Sequence, residues 1–123
     1  MKVPGFLARQ FYVVGSLRNT DSGFALEARN PLGDGTIVGV GRLAVDGRAI
    51  EAADVWALRE GDPEAIRSSD VTTAHPIQVR QGDKVTLQVA GPALAPGEHR
   101  LEVELVELNL GALQLSVSDR LAG

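Results

Sequence analysis

The sequence contains no cysteine among its 123 residues. Disulfide bonds and thiolate metal sites are therefore excluded, and this absence is typical of proteins in a reducing compartment. No apolar run approaches the roughly 18 residues of a membrane-spanning helix, and the N-terminus has no stretch apolar enough for a signal peptide. We therefore predict a cytoplasmic protein that has no membrane partner.

Aromatic residues and basic residues are also scarce. One Trp, one Tyr and three Phe leave the core to Val, Leu, Ile and Ala. Lys and Arg number 12 against 16 Asp and Glu, which gives a formal net charge of −4. Nucleic acids attract basic surfaces, so this charge disfavours a nucleic-acid partner. The length suits one domain, which we predict to span residues 1–123.

The main pattern is an alternation of apolar and polar residues with a period of two, and it is clearest near the C-terminus. His99, Leu101 and Val103 alternate with charged residues, and residues 113–118 repeat the pattern. Asn109 lies between the two segments in a stretch that suits a turn. The pattern predicts a hairpin with one buried face.

Further extended segments are predicted over residues 11–18, 24–28, 36–45, 54–58 and 84–90. Asp46-Gly47 indicates a tight turn. One helical turn is predicted after Asp62, with Pro63 at the first helical position and Glu64 in the first turn. The fold class predicted is all-β, an antiparallel β-sandwich of about seven to nine short strands with at most one short helical turn.

Groups that could carry chemistry do not form a recognisable catalytic motif. His99 lies in phase with an apolar face, which is typical of a partly buried histidine, and His75 precedes Pro76 in a predicted loop. Their separation gives no local metal-ligand spacing. No nucleophile elbow, phosphate-binding loop or dinucleotide fingerprint occurs. We therefore predict no catalytic, cofactor-binding or metal-binding residue in this chain.

The few aromatic residues are the best candidates for contact with a partner. Trp56 stands in a predicted strand, and Phe6, Phe11 and Tyr12 lie near the N-terminus. Large aromatic side chains often anchor protein interfaces, but they also fill cores. Both interpretations of these four residues remain open.

Short segments spread over most of the chain occur in an order found in a known family. They are Gly-Ser-Leu-Arg-Asn at 15–19 ahead of a strand with Phe24, Val-Asp-Gly at 45–47, Leu-Ala-Pro-Gly-Glu-His-Arg-Leu-Glu-Val-Glu-Leu at 94–105, Leu110-Gly111 and Ser118-Asp119. In this order they resemble the small β subunit of the bacterial C-glycoside deglycosidases, the C-deglycosylation enzymes.

The resemblance implies an accessory β subunit in a heteromeric carbon–carbon lyase. The partner would be a larger, sugar-isomerase-like TIM-barrel α subunit that holds a divalent metal, expected to be manganese. The complex would cleave the sugar–aglycone bond of a 3-oxo-C-glycoside, such as a flavonoid glycoside. The resemblance implies no catalytic residue in this chain.

Two alternatives remain beside this hypothesis. The first is a stand-alone carbohydrate-binding or protein-interaction sandwich, although carbohydrate-binding modules usually present several exposed aromatic residues. The second is a small independent enzyme that uses His75 or His99.

Overall fold

The computed structural model of the chain describes residues 1–121. One helix, α1 (Gly5–Phe11), comes first, and two 3₁₀ turns lie at Ala52–Asp54 and Ser68–Asp70. The described residues form ten strands: β1 (Arg18–Thr20), β2 (Gly23–Arg29), β3 (Gly35–Val45), β4 (Arg48–Ile50), β5 (Val55–Arg59), β6 (Ile66–Arg67), β7 (Ile77–Val79), β8 (Lys84–Ala90), β9 (Gly97–Glu107) and β10 (Gly111–Leu121). The predicted single domain over 1–123 ends with Ala122 and Gly123, which lie outside the described residues.

The strands form two antiparallel sheets. The first has the order β1-β2-β8-β5-β6, and the second has the order β10-β9-β3-β4 with β7 also paired to β3. The predicted all-β, sandwich-like fold is confirmed. Among the described residues, no helix is long and apolar enough to cross a bilayer.

The core lies where the inward faces of the two sheets meet at one end. In the first sheet, Phe24 is opposite Val89, which is opposite Val55, so three apolar side chains form one row. In the second sheet, Val117 is opposite Leu101, which is opposite Val45. The buried cluster contains Tyr12, Leu17, Phe24, Leu26, Leu43, Val45, Val55, Val89, Leu94, Leu101 and Leu121. This part of the molecule is called the packed end.

The predicted C-terminal hairpin is confirmed over its whole length. Gly111 pairs with Glu107, and the register continues without a break to Leu121 opposite Gly97. On the other side of β9, strand β3 shifts register between Ile37 and Gly39 and again between Val40 and Leu43. Such irregularities bend a strand and increase its twist, so β3 curves along β9.

The helix was predicted in the wrong place. Residues after Asp62 form no helix, because the Asp62 carboxylate accepts a hydrogen bond from the Arg59 guanidinium at 2.8 Å instead of capping a helix. The actual helix, α1, has no side-chain cap. It is held by packing, since Ala8 is fully buried against Leu113 and Leu115 of β10.

The extended segment predicted over residues 11–18 is also wrong. Helix α1 ends at Phe11, Tyr12 makes a single bridge to Ala28, and Gly15 turns the chain with φ of 85°. Only Arg18–Thr20 is strand, and it joins β2 through a tight connection at Asp21 and Ser22.

Gly23 is required at the start of β2, where it pairs with Ala90 at the end of β8. A Cβ atom at this position would lie 1.9 Å from the carbonyl oxygen of Val89. Gly23→Ala should therefore force the strands apart and lower the free energy of unfolding by about 2–3 kcal/mol. Chemical denaturation measures this loss. Gly33→Ala is the control, because no atom lies within 4 Å of its added Cβ, and an equal loss in both variants would contradict the close-approach argument.

Candidate functional site

Beyond the packed end, an apolar cavity of about 410 Å³ lies between the two sheets. Its walls include Ala28, Val85 and Leu87 from the first sheet and Val103, Leu105 and Leu113 from the second. It is called the intersheet cavity below. Val85, Leu87, Val103 and Leu105 lie on inward faces yet are only half-buried. Apolar side chains in this position are available to an apolar ligand.

The cavity runs along β9. Leu101 at the packed end and Glu107 near the opposite end both line it. A strand rises about 3.4 Å per residue, so these two positions are about 20 Å apart.

The mouth of the cavity is formed by three connections: the β2–β3 loop, the β7–β8 turn and the β9–β10 turn. Leu32 and Leu110 line it and are 40% and 52% exposed, and Leu108 on the same turn as Leu110 is 58% exposed. Exposed leucines beside a concave apolar surface are typical of a binding site. These three residues are the apolar rim.

Glu107 lies at the inner edge of this mouth and is buried. Its carboxylate accepts hydrogen bonds from the backbone N–H groups of Thr36 at 2.9 Å, Asn109 at 2.7 Å and Leu110 at 2.9 Å. These bonds, chiefly those from Thr36 and Leu110, outweigh burial and hold the pKa of Glu107 below its ordinary value. The carboxylate therefore ties the β9–β10 turn to β3 and fixes the rim.

Glu107→Ala should lower the free energy of unfolding by about 2 kcal/mol. The variant leaves three backbone donors without their acceptor, but Asn109 and Leu110 are exposed and can turn to water, which limits the loss. Urea denaturation at neutral pH measures it. Glu98→Ala, on an exposed position of the same strand, should change stability by less than about 0.5 kcal/mol. A similar loss in both variants would show that the carboxylate has no special role.

At the packed end, the His99 side chain links the β3–β4 turn to the loop before β9. Its Nδ1 lies 2.6 Å from the Asp46 carboxylate, and its Nε2 lies 2.6 Å from the carbonyl oxygen of Ala95. Both neighbours are acceptors, so the ring is best satisfied when both nitrogens carry a proton. The Ala95 carbonyl and the Asp46 carboxylate raise the pKa of His99. Both ring nitrogens are thus occupied, and the imidazole links the turn to the loop.

Asp46 is held in turn by the backbone of β9. Its carboxylate accepts a hydrogen bond from the Arg100 N–H at 2.9 Å, and this bond, followed by the one to His99, lowers the pKa of Asp46. Asp46 has a φ of 53°, which is rare for a residue other than glycine. The tight turn predicted at Asp46-Gly47 is present between β3 and β4.

The Asp119 side chain is hydrogen-bonded to the segment that follows α1. Its buried carboxylate accepts hydrogen bonds from the Tyr12 hydroxyl and from the N–H groups of Gly15 at 3.0 Å and Leu17 at 3.3 Å. Burial alone would raise the pKa of Asp119. These hydrogen bonds, together with one from the Arg120 N–H at 2.8 Å, outweigh burial and hold the pKa below its ordinary value. Burial and the bond to Asp119 raise the pKa of Tyr12, so its hydroxyl stays protonated.

The structure does not bring the two histidines together in a reactive group. His75 is exposed in the loop before β7, and its backbone N–H is bound to Thr72. Within residues 1–121 there is no group of three or more His, Asp or Glu side chains placed to hold a metal ion.

The four aromatic residues predicted as an interface lie in different settings. Phe6 is 75% exposed on α1, whereas Phe11 is half-buried and lines the intersheet cavity. Tyr12 is buried in the core. Trp56 is half-buried in β5, and the Arg67 guanidinium lies 5.0 Å from the centre of its ring. They do not share one surface environment, and a partner contact by these residues stays a prediction.

Sequence reasoning missed the intersheet cavity and Glu107. A signal for Glu107 was present, because it continues the inward series of Leu101, Val103 and Leu105 at a spacing of two. A carboxylate in phase with an apolar face needs partners, and those partners indicate a structural or functional role. The cavity itself had no such signal in the sequence.

The fold and the cavity define a β-sandwich domain with an apolar space between its sheets. Residues 7–122 match the family model of the hydroxymethylglutaryl-CoA reductase N-terminal domain. The chain belongs to this family. A comparison with curated proteins found no match.

The family match overturns the resemblance to the C-glycoside deglycosidase β subunit. The predicted accessory role in a C-glycoside lyase, the TIM-barrel α subunit and the 3-oxo-C-glycoside substrate are therefore wrong, and manganese in that partner is no longer implied. The segments that suggested the resemblance have general structural roles. Asp46 and Gly47 form a hairpin turn, Gly97 begins β9, and Asp119 anchors the N-terminal segment.

Proposed function

We propose that this chain serves as a non-catalytic N-terminal domain of a hydroxymethylglutaryl-CoA reductase and contributes a binding site rather than reacting groups. The family match over residues 7–122 carries the proposal. We further propose that the chain binds no metal or cofactor itself and that it acts in the cytoplasm, in keeping with its lack of cysteine.

The hydrogen bonds and burial of the ionisable side chains support a non-catalytic role. His99, Glu107 and Asp119 each accept or donate two or more hydrogen bonds to atoms of the protein, and all three are buried. A general acid or base must be free to exchange a proton with a substrate. These groups instead join loops to strands.

The concave feature best suited to a ligand is the intersheet cavity. Its apolar walls and the leucines of its rim offer contacts for binding, whereas its carboxylate at Glu107 is occupied by backbone donors. Apolar clefts with few polar groups are the usual form of small-molecule sites. The domain would therefore add ligand binding to the reductase.

The assignment is tested by following reduction of hydroxymethylglutaryl-CoA. The purified chain should show no turnover, while the affinity-tagged chain recovered from its own cells should copurify with reductase activity. A His75→Ala/His99→Ala variant is the control for hidden catalysis. Turnover by the purified wild-type chain that disappears in this variant would overturn the non-catalytic role. Recovery of the tagged chain without reductase activity would overturn the link to the reductase.

A further inference from the structure

We propose that the intersheet cavity is a binding site for an uncharged aliphatic molecule of about 15 non-hydrogen atoms. The size follows from volume: a protein cavity of about 150 Å³ holds benzene, and the present cavity is between two and three times larger. This inference rests on the ligand site proposed above but not on the assignment to the reductase.

The cavity is shaped before a ligand enters. On one side, α1 and Tyr12 close the gap between β10 and β2, with Tyr12 fixed by Asp119. On the other side, Arg59 at the end of β5 donates a hydrogen bond to the carbonyl oxygen of Gln78 in β7 at 2.6 Å, which links the two sheets. A cavity whose walls are fixed on both sides loses less conformational freedom on binding than a flexible one does.

The chemistry of the walls selects aliphatic ligands. Val85, Leu87, Val103 and Leu105 supply branched apolar surface, and the hydroxyl of Tyr12 at the inner end is already bound to Asp119. No free hydrogen-bonding group of these residues faces the interior. A polar group carried deep into the cavity would therefore lose its bonds to water without replacement.

The width of the gap favours a small molecule over a segment of protein. Packed sheets are separated by about 10 Å, and this distance already contains the side chains of both faces. A helix is about 10–12 Å across with its side chains, so it does not fit between the sheets. A single aliphatic chain does fit, and the distance of about 20 Å along β9 accommodates its length.

Charge at the mouth disfavours anionic ligands. Asp34, Asp83 and Glu107 line the mouth, and Arg29 is the cation among the residues that line the cavity. Arg59 also interacts with Asp83, so the three carboxylates exceed these two cations by one charge. A carboxylate or phosphate at the entrance would meet this negative field, while a hydroxyl end group would not. The ligand is therefore an uncharged aliphatic compound, such as a long-chain alcohol.

Isothermal titration calorimetry of the whole chain with decanol and with decanoate tests both the site and its charge preference. We expect saturable binding of decanol and binding of decanoate that is at least about tenfold weaker. Val85→Phe should fill part of the cavity and weaken decanol binding by at least about tenfold, whereas Val14→Phe, which adds the same ring at an exposed position, should leave it unchanged.

A second variant keeps the test decisive if Val85→Phe does not fold. Ala28→Leu places a flexible aliphatic side chain, instead of a rigid ring, at another wall position. It should also weaken decanol binding, with circular dichroism showing that the folded state is retained. Absence of decanol binding up to its solubility limit would overturn the site, and so would unchanged affinity in a folded filling variant. Equal affinity for decanoate would overturn the preference for an uncharged ligand.

Discussion

Asp119→Ala should lower the free energy of unfolding by about 4 kcal/mol, the largest single loss expected among the polar residues. The substitution removes the acceptor for the Tyr12 hydroxyl and the Leu17 N–H, which are buried in the core, and for the N–H of Gly15, which is exposed and can turn to water. Buried donors left without a partner cost about 1–3 kcal/mol each, and bonds to a charged acceptor are stronger than neutral ones. Equilibrium unfolding in urea measures the loss.

Tyr12→Phe is the matched control for Asp119→Ala. It removes one donor but leaves the carboxylate with its backbone partners, so the expected loss is only about 1–2 kcal/mol. The lowered pKa of Asp119 also predicts acid sensitivity. Its contribution is present above the unfolded pKa of about 3.9 and is lost as pH falls through the lower folded value. Equal losses in the two variants would contradict the role given to the carboxylate.

His99→Ala should lower the free energy of unfolding by about 2–3 kcal/mol at pH 6 and by less at alkaline pH. When protonated, the buried imidazole donates to both Asp46 and the Ala95 carbonyl, so its removal breaks the link between the β3–β4 turn and the loop before β9. Because the folded pKa of His99 is raised, the stabilisation is fully present below the unfolded pKa of about 6.5. It disappears as pH rises through the folded value.

Urea denaturation between pH 5.5 and 9 measures this dependence. The wild-type chain should lose stability toward alkaline pH, and the His99→Ala profile should be flatter over the same interval. His75→Ala, which changes an exposed imidazole, should leave the wild-type profile intact. A wild-type profile that does not fall with rising pH would show that His99 is not held as a cation.

Elements specified by local sequence patterns were predictable, whereas elements that depend on packing against distant residues were not. The β9–β10 hairpin follows from strict alternation on both sides of a turn that contains Asn109, and its register agrees with that pattern. Helix α1 was not predicted because a helix of seven residues without a side-chain cap is not stable in isolation. The helix is stabilised by the packing of Ala8 on β10, and this contact joins residues that are far apart in the sequence.

The candidate site was less predictable than the fold. Periodicity shows that Val85 and Leu105 point inward, but it does not show how far apart the two sheets stand. That distance depends on the flanking contacts of Tyr12 and Arg59, which join residues far apart in sequence. The predicted family was wrong because it depended on common local motifs. Turns such as Asp46-Gly47 and strand entries such as Pro96-Gly97 recur in many β-sandwiches.

Methyl chemical shifts recorded during a decanol titration test most directly whether the intersheet cavity is the ligand-binding site of this domain. We expect shifts that saturate at Val85, Val103 and Leu105 around the intersheet cavity, with little change at Val45 and Val89 in the packed end. Shifts confined to the packed end or to the exposed face of α1, or shifts that grow without saturation, would contradict binding in the cavity.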